Sequence, residues 1–339
     1  MEKSKTREYI YLLKAFAIFS VVCAHASVEP EQSSTVVYFV IRLMSSIGTA
    51  GVPIFFLLSG YLFYDNHYEW KEFIRRKCIS ILLPWFFCET LVWLYVVLRK
   101  GGISFKAWFE FMLGVNHSTY YMTILLCFFV VFWHMKKYVN CLLVCMVLSV
   151  ISILAYGWKI PYISEWNHLA ITVYLNPLLW MIYFILGMLI KRKDYLCRLA
   201  EYSKKYLPIY SILLVIDFWV HYVRNMSWLY YSQFALLNIG LQSLVIMGLS
   251  AVLLDKKNKI LIEIGKYSFT IYLLHELIVG GVVWITSKSF FLPVVWIRPF
   301  ITIAVVVVGI KVIEYICTCQ KWLKNIPAVL IGIRKNSES

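Results

Sequence analysis

The chain has 339 residues, of which 61% are hydrophobic and 15% charged, and its mean hydropathy is +0.73. Soluble domains are about 45–50% apolar and about 25% charged. The composition therefore excludes a soluble globular protein and indicates a polytopic membrane protein. The net charge of +15 does not indicate nucleic-acid binding, because the basic residues form short clusters between apolar segments, as the positive-inside rule describes.

The apolar segments predict an all-α fold, a single integral membrane bundle of about ten transmembrane helices that occupies residues 1–339. Each segment is close to the length that a bilayer requires. In chain order, the predicted spans cover residues 9–28, 44–64, 79–98, 119–134, 138–156, 169–190, 206–223, 234–254, 267–285 and 297–317.

The distribution of charge predicts the orientation of the bundle. Most of the 33 lysine and arginine residues fall in loops on one side, and the opposite side receives few, among them Arg42 and Arg298. Since cytoplasmic loops are enriched in lysine and arginine, both termini are expected in the cytoplasm.

The first span contains two ionisable side chains, Lys14 and His25. Eleven steps of about 100° come within about 20° of three full turns, so both side chains lie on one helix face, roughly 16 Å apart along the axis. Ionisable groups at membrane depth are costly and often functional. His25 is therefore either a buried histidine that bonds to a neighbouring backbone or a general base that accepts a proton from a hydroxyl.

Two further motifs follow the first span. The segment from Gly51 to Tyr61 contains small residues, including Ser59 and Gly60, that permit close helix contact. The basic cluster Arg75-Arg76-Lys77 precedes Pro84. This cluster is either a topology signal or a clamp for phosphate groups, because guanidinium forks match phosphate oxygens.

In this order, the motifs resemble those of the acyltransferase-3 family of polytopic membrane acyltransferases. That family has an arginine and a histidine in its first span with ten residues between them, and this chain has lysine at the first of the two positions. Lysine keeps the charge but lacks the planar fork. The matching residues are Lys14 and His25, Phe55-Phe56, Ser59-Gly60, Arg75-Arg76-Lys77 with Pro84, Tyr183-Phe-Ile-Leu-Gly187 and Tyr267-Ser-Phe-Thr-Ile-Tyr-Leu-Leu-His275.

The resemblance implies a multi-pass protein of the cell membrane that transfers an acyl group, most often acetyl, from cytoplasmic acyl-CoA to a hydroxyl of an envelope glycan or glycolipid. Acyl-CoA is the donor substrate, and no permanently bound cofactor is expected. His25 would be the catalytic base. Lys14, Arg75, Arg76 and Lys77 would bind the donor, and Ser59 and Tyr61 are candidates to stabilise the oxyanion.

Other polar residues fall within the predicted spans. His275 is a second histidine at membrane depth, with structural and functional roles both open. Asp217 and His221 stand four residues apart on one helix face, where they form a local ion pair or line the same cavity as His25. A carboxylate beside His25 would orient its ring, but the sequence does not say which acid reaches it. The nine cysteines show no metal-binding spacing, so we expect no metal site.

A different class of function also fits ten spans with buried charges. A transporter or flippase of a small polar or glycolipid substrate would need a polar pathway but no covalent chemistry. Paired broken helices in corresponding halves of the chain would favour this alternative, and the sequence does not show them.

Overall fold

The structure is a computed structural model that describes residues 3–28, 34–115, 119–160, 173–226, 228–287, 292–319 and 332. These residues form helices and connecting turns, with no strand among them. The all-helical class predicted from the sequence is thus confirmed for the described part of the chain.

The described residues contain fifteen α-helices, numbered in chain order. They are α1 Lys3–Ala26, α2 Thr35–Gly48, α3 Gly51–Tyr64, α4 Trp70–Lys77, α5 Leu83–Lys100, α6 Phe105–Met112, α7 Tyr120–Met135, α8 Val139–Gly157, α9 Met181–Arg192, α10 Leu196–Lys205, α11 Leu207–Val223, α12 Ala235–Asp255, α13 Lys259–Lys266, α14 Ser268–Ser287 and α15 Leu292–Cys319. A π-helical turn, Cys78–Leu82, joins α4 to α5, and two 3-10 turns, Val173–Leu175 and Pro177–Leu179, precede α9.

Among the described residues, seven segments are long and apolar enough to cross a membrane. An eighth arises if α10 and α11, which meet at a bend of 74°, form one broken span. The seven segments are Lys3–Ala26, Thr35–Tyr64, Trp70–Leu98, Val139–Gly157, Ala235–Asp255, Ser268–Thr286 and Val295–Cys317. The chain is therefore a multi-pass membrane protein.

Two of the ten predicted spans are shorter helices in the structure. The predicted span 119–134 corresponds to α7, which has 16 residues. The predicted span 169–190 begins outside the described residues and contains α9, which has 12 residues. Both are below the roughly 20 residues that cross a bilayer without tilt or thinning, so the count of ten stays a prediction.

The second span begins earlier than predicted and is broken. It runs from Thr35 to Tyr64 as two helices of 14 residues each, separated at Thr49 and Ala50. We expected a start near residue 44 because Arg42 was assigned to an outer loop. In the structure the guanidinium of Arg42 donates to the carbonyl of Met226 (2.5 Å) and covers the ring of Trp228 (4.3 Å), which allows the helix to begin before it.

The third span likewise begins before the predicted residue 79, because α4 continues into α5 through the π-helical turn. Pro84 lies in the first turn of α5. A proline has no backbone N–H, and in an α-helix its ring clashes with the carbonyl four residues earlier. In the π-helical turn before Pro84, the N–H of Leu83 donates to the carbonyl of Cys78. The basic cluster on α4 is therefore connected to the membrane part of the helix without a loop.

Helix α1 lies at the centre of the bundle, where it contacts α2, α3, α12, α13, α14 and α15. Close glycine contacts fix the neighbouring pair α3 and α9. A Cβ atom on Gly60 would lie 1.9 Å from the carbonyl oxygen of Phe184, and one on Gly187 would lie 1.9 Å from that of Leu57. The Ser59-Gly60 and Tyr183–Gly187 segments thus pack the two helices together, as the small residues predicted.

Candidate active site

The end of α1 and the middle of α14 form a cluster of ionisable side chains. His25 lies in the last turn of α1, and His275 and Glu276 are consecutive residues of α14. The packing of α14 against α1 brings residues 250 positions apart in the chain into one site. Only the tertiary structure makes this cluster, since His25 and the consecutive residues His275 and Glu276 lie in separate apolar segments of the sequence.

His25 faces both partners. Its Nδ1 atom lies 3.8 Å from Oε1 of Glu276, which is ion-pair distance, and its ring centroid lies 4.9 Å from that of His275 with the rings edge to face. A carboxylate on the Nδ1 side favours the tautomer with a proton on Nδ1, and Nε2 then carries the lone pair that accepts a proton. Glu276 is therefore the carboxylate that reaches His25, the residue that the sequence left unidentified.

The orientation of His275 is fixed from within its own helix. Its side chain is 1% exposed, and its Nδ1 lies 2.6 Å from the carbonyl oxygen of Tyr272. Because a carbonyl only accepts, Nδ1 carries the proton and Nε2 is the basic nitrogen. His275 thus has one defined tautomer, whereas the more exposed His25 has room to exchange protons with a bound substrate.

A cavity of about 300 Å³ opens at this cluster. It is lined by His25 and Glu276 together with Val28, Val279, Gly280 and Val283. The polar groups occupy one part of the wall, and valine side chains and the bare backbone of Gly280 form the rest. A cavity with an apolar wall and few polar groups is typical of a small-molecule site. The side chains of His25 and Glu276 are 36% and 20% exposed, so a ligand in the cavity can touch both.

A row of aromatic rings leads from this cluster to α3. Tyr272 lies 5.8 Å from His275 and 5.5 Å from Tyr121, ring centroid to ring centroid. The hydroxyls of Tyr121 and Ser59 are 3.0 Å apart and hydrogen-bonded. Among the described contacts, Ser59 is linked to the histidine cluster through Tyr121 and Tyr272 and does not touch it directly.

Tyr61 occupies a different place from Ser59. Its ring is 4% exposed and is covered by the ammonium group of Lys191, whose Nζ lies 5.3 Å from the centroid. Lys191 is also paired with Asp65 at 3.0 Å. The contacts of Tyr61 thus belong to the end of α3 that carries Asp65, and they give no support to a role as oxyanion donor beside His25.

A second carboxylate, that of Glu89, is buried near the cluster. Glu89 of α5 is 3% exposed and interacts electrostatically with Glu276 and with Tyr272. One of its oxygens, Oε2, has no hydrogen-bond partner among the described residues. Two carboxyl groups in one low-dielectric region repel each other when both are ionised, so Glu89 affects the charge that Glu276 presents to His25.

Lys14 lies on α1, eleven residues before His25. Its Nζ is 5.9 Å from the ring centroid of Tyr11, and the Nζ of Lys266 is also 5.9 Å from this centroid. A Cβ atom on Gly265 would lie 1.9 Å from the carbonyl oxygen of Tyr11, so α13 is pressed against α1 here. Lys266, which the sequence placed at the edge of a span, joins Lys14 as a second cation at this point.

The basic cluster on α4 is exposed and partly neutralised. Arg75 and Arg76 both donate to the carboxylate of Glu72, at 2.8 Å and 2.7 Å. The ammonium group of Lys77 lies over the rings of Phe73 and Phe129, at 5.3 Å and 5.1 Å. The two arginine side chains are 67% and 53% exposed, which leaves them reachable by a soluble anion.

Asp217 and His221 form a local pair that does not line the cavity at His25. Nδ1 of His221 lies 3.5 Å from Oδ1 of Asp217 and 2.8 Å from its carbonyl oxygen. The two side chains are only 8% and 2% exposed. Of the two arrangements that the sequence left open, the structure shows the local pair.

The cluster also has the composition of a metal site. The potential ligand atoms of His25, His275 and Glu276 all lie within 4.8 Å of one another. No spacing in the sequence indicates this, because the ligands come from two distant helices. The same three side chains fit proton transfer without a metal, and the expected lack of a metal stays a prediction.

Sequence reasoning missed two residues at the site. Glu276 follows His275 directly in the sequence, but no motif assigned it a role. Arg298 was assigned to the outer side by its charge, and the structure shows that it is fully buried, at 0% exposure, in α15 and bonds to the end of α1. The sequence interpreted its charge only as a topology signal and did not indicate these contacts.

These observations define the class of the protein. It is a multi-pass helical membrane protein with a histidine–carboxylate cluster at an open cavity. A family model described as an acyltransferase domain, that of the acyltransferase-3 family, matches residues 7–314. The chain therefore belongs to the acyltransferase-3 family, as its motifs predicted. Neither a curated protein nor a solved structure matches the chain.

Proposed function

We propose that this acyltransferase moves an acyl group, most often acetyl, from cytoplasmic acyl-CoA to a hydroxyl of a cell-envelope glycan or glycolipid. We further propose a bundle of ten spans in the plasma membrane with both termini in the cytoplasm. The observation that carries the proposal is the pairing of His25 with Glu276 at an open cavity, in a chain whose family transfers acyl groups.

In the proposed reaction the acceptor hydroxyl binds in the cavity beside His25. Nε2 of His25 removes the hydroxyl proton while the oxygen attacks the thioester carbonyl carbon. A new C–O ester bond forms, the C–S bond breaks, and the CoA sulfur leaves with the electron pair. The imidazolium then gives its proton to the thiolate, so the products are the ester and free CoA. Glu276 stabilises the imidazolium that forms between the two steps.

The donor would approach from the side that carries Lys14. The chain places Lys14 about 16 Å from His25 along α1, with Lys266 beside it at Tyr11. We propose that these cations and the exposed cluster Arg75, Arg76 and Lys77 attract the phosphates of CoA, while the thin pantetheine arm extends towards His25. This arrangement supports a division of the protein into a donor end and an acceptor end.

The proposal is tested with purified protein in proteoliposomes and acetyl-CoA that carries a labelled acetyl group. We expect label to appear in an ester on glycan or glycolipid extracted from the source envelope, with equimolar release of free CoA. Mass spectrometry of envelope glycans from cells with and without the gene should show one acetyl or succinyl mass difference. Translocation of an unmodified glycolipid with no ester formed would instead establish the transporter or flippase alternative.

The donor end has its own prediction. Lys14→Met should raise the KM for acyl-CoA or abolish transfer, whereas Lys14→Arg should retain activity, because a single cation suffices for charge attraction. The simultaneous change of Arg75→Ala and Arg76→Ala should weaken acyl-CoA binding, measured by equilibrium dialysis. Lys106→Met is the matched control, since Lys106 is an exposed lysine paired with Glu110 in a predicted outer loop. Equal binding in all variants would leave these cations as topology signals.

A further inference from the structure

Arg298 is the most deeply buried cation among the described residues, and it joins the two helices of the candidate active site. Its side chain has 0% exposure. Its Nη1 donates to the carbonyl oxygens of Ala26 (3.3 Å) and Val28 (2.7 Å), and its Nε donates to the hydroxyl of Thr286 on α14 (2.8 Å). One side chain of α15 thus holds the end of α1 and the later part of α14.

The bond to Ala26 addresses a specific need of α1, because Ala26 is the last residue of this helix, whereas Val28 lies two residues beyond its end. The last carbonyls of a helix have no intrahelical partner and carry the negative end of the helix dipole. At membrane depth, water does not reliably supply the missing donors. A buried guanidinium satisfies these carbonyls and is itself stabilised by them. Among the described residues, the hydrogen-bond partners of Arg298 are two backbone carbonyls and one hydroxyl, and its Nη2 has none.

The contacts of Arg298 surround His25. Ala26 is the next residue after His25, and Val28 lines the cavity. On the other helix, the hydroxyl of Thr286 donates to the carbonyl oxygens of Val282 and Val283, and Val283 also lines the cavity. Any displacement of α1 relative to α14 would change the 3.8 Å separation between His25 and Glu276.

We propose that Arg298 is a positioning residue that fixes the last turn of α1, and with it the imidazole of His25, against Glu276 and the cavity wall. The inference rests on the proposed function of His25 as the base. Arg298 does not touch the reacting atoms: it acts through the carbonyls of Ala26 and Val28. Its guanidinium is required because one planar group must serve α1 and α14 from opposite edges, which an ammonium group on a lysine stem does not do.

The test compares Arg298→Met with Arg42→Met. Arg42 is a partly buried cation assigned to the same side, and like Arg298 it donates to a backbone carbonyl, that of Met226. Among the described contacts, it does not touch the end of α1. The first readout is the rate of carbethoxylation of His25 by diethylpyrocarbonate, followed by peptide mass spectrometry. We expect at least a threefold faster rate in Arg298→Met, a smaller rise in Arg298→Lys, and no change in Arg42→Met.

The second readout is kinetic. In Arg298→Met we expect kcat for acyl transfer to fall by tenfold or more while the KM for acyl-CoA is unchanged, because the donor end at Lys14 is intact. A generally destabilised protein would not show this split. Should Arg298→Met fail to fold, Thr286→Val removes the bond from Arg298 to α14, together with the bonds of this hydroxyl within α14, and leaves the bonds to Ala26 and Val28. It should give the same changes at reduced size.

Equal labelling of His25 in Arg298→Met and Arg42→Met would overturn the proposal. Faster labelling with an unchanged kcat would overturn it as well, because the order of α1 would then have no catalytic consequence. If the unmodified protein transfers no acyl group, the proposed function fails, and the labelling experiment still decides whether Arg298 orders His25.

Discussion

Two histidine–carboxylate pairs lie in membrane-spanning helices among the described residues, and they differ in access more than in composition. His25 and Glu276 are 3.8 Å apart with side chains 36% and 20% exposed, at an open cavity. His221 and Asp217 are 3.5 Å apart with side chains 2% and 8% exposed. By sequence alone both are an imidazole and an acid in apolar surroundings.

The His221–Asp217 pair belongs to a closed hydrogen-bond network. Oδ2 of Asp217 accepts from the amide of Asn238, and the carbonyl oxygen of that amide accepts from Gln242 and Thr49. Gln242 also donates to the carbonyl of Ser46. Trp228 stacks on the ring of His221 at 5.5 Å, and Nε2 of that ring has no partner among the described residues.

The network stands where α2 ends and α3 begins, so it has a structural use. A helix break inside a membrane exposes backbone carbonyls that need donors. Gln242 and Thr49 both donate to the carbonyl of Ser46 in the last turn of α2. A costly polar group at membrane depth therefore indicates a reactive site only where a substrate can reach it.

The largest effect should come from His25, and the largest contrast between the two pairs from comparing their histidines. His25→Ala should lower kcat for acyl transfer by about 10²- to 10⁴-fold, the usual contribution of a general base, with normal yield and thermal stability. His221→Ala is the matched control and should keep kcat within about a factor of three while lowering stability, because it opens a packed region. Both are measured with labelled acetyl-CoA and by thermal unfolding. Full activity in His25→Ala would remove the proposed base.

The next largest difference in kcat between the two pairs should come from their acids, Glu276 and Asp217. Glu276→Gln should lower kcat by about 10- to 100-fold, less than loss of the base itself, because His25 remains but its imidazolium loses a carboxylate. Asp217→Asn keeps the shape of the other pair and should leave kcat unchanged. If the two substitutions reduce kcat equally, the distinction between an open and a closed pair is wrong.

The cavity wall gives a smaller effect that tests access directly. A Cβ atom on Gly280 would meet nothing within 4 Å, and the same is true of Gly281, but only Gly280 lines the cavity. Gly280→Leu should therefore fill the cavity and raise the KM for the acceptor by about tenfold, the cost of losing roughly 1.4 kcal/mol of binding. Gly281→Leu should leave this KM unchanged. Unaltered acceptor kinetics in Gly280→Leu would place the acceptor elsewhere.

The smallest catalytic effect should come from the closed network. Gln242→Leu removes the donor to Ser46 and Asn238 and should lower the free energy of unfolding by about 1–3 kcal/mol, the cost of leaving buried groups unsatisfied. Activity per folded molecule should stay the same. Thermal unfolding in detergent and transfer assays on the folded fraction measure the two quantities. A loss of kcat at unchanged stability would give this network a functional role.

The sequence predicted much of the fold but not all of its breaks. Hydropathy identified the multi-pass class, and the small residues Ser59 and Gly60 indicated close helix packing. The start of α2 was missed because Arg42 was treated as a loop residue, whereas the carbonyl of Met226 and the ring of Trp228 accommodate it in the fold. Charge patterns along the chain do not reveal a partner almost two hundred residues away.

The candidate site, like the fold, was predicted only in part. His25 and His275 were identified by their positions in apolar spans and by family motifs, and the structure places their rings 4.9 Å apart. Ser59 lies two aromatic rings away, and the contacts of Tyr61 lie at the Asp65 end of α3. Glu276 and Arg298 acquired their significance only through contacts with α1, for which no local pattern exists.

The amino-acid sequence is sufficient to identify a multi-pass helical membrane protein of the acyltransferase-3 family and to predict Lys14 and His25 on one face of α1. These features follow from local periodicity, hydropathy and ordered motifs, which depend on neighbours in the chain. The tertiary structure alone decided that Glu276 rather than Asp217 faces His25, that His221 is enclosed, and that Arg298 holds the end of α1. Those distinctions depend on packing between helices, which sets distance and access to substrate.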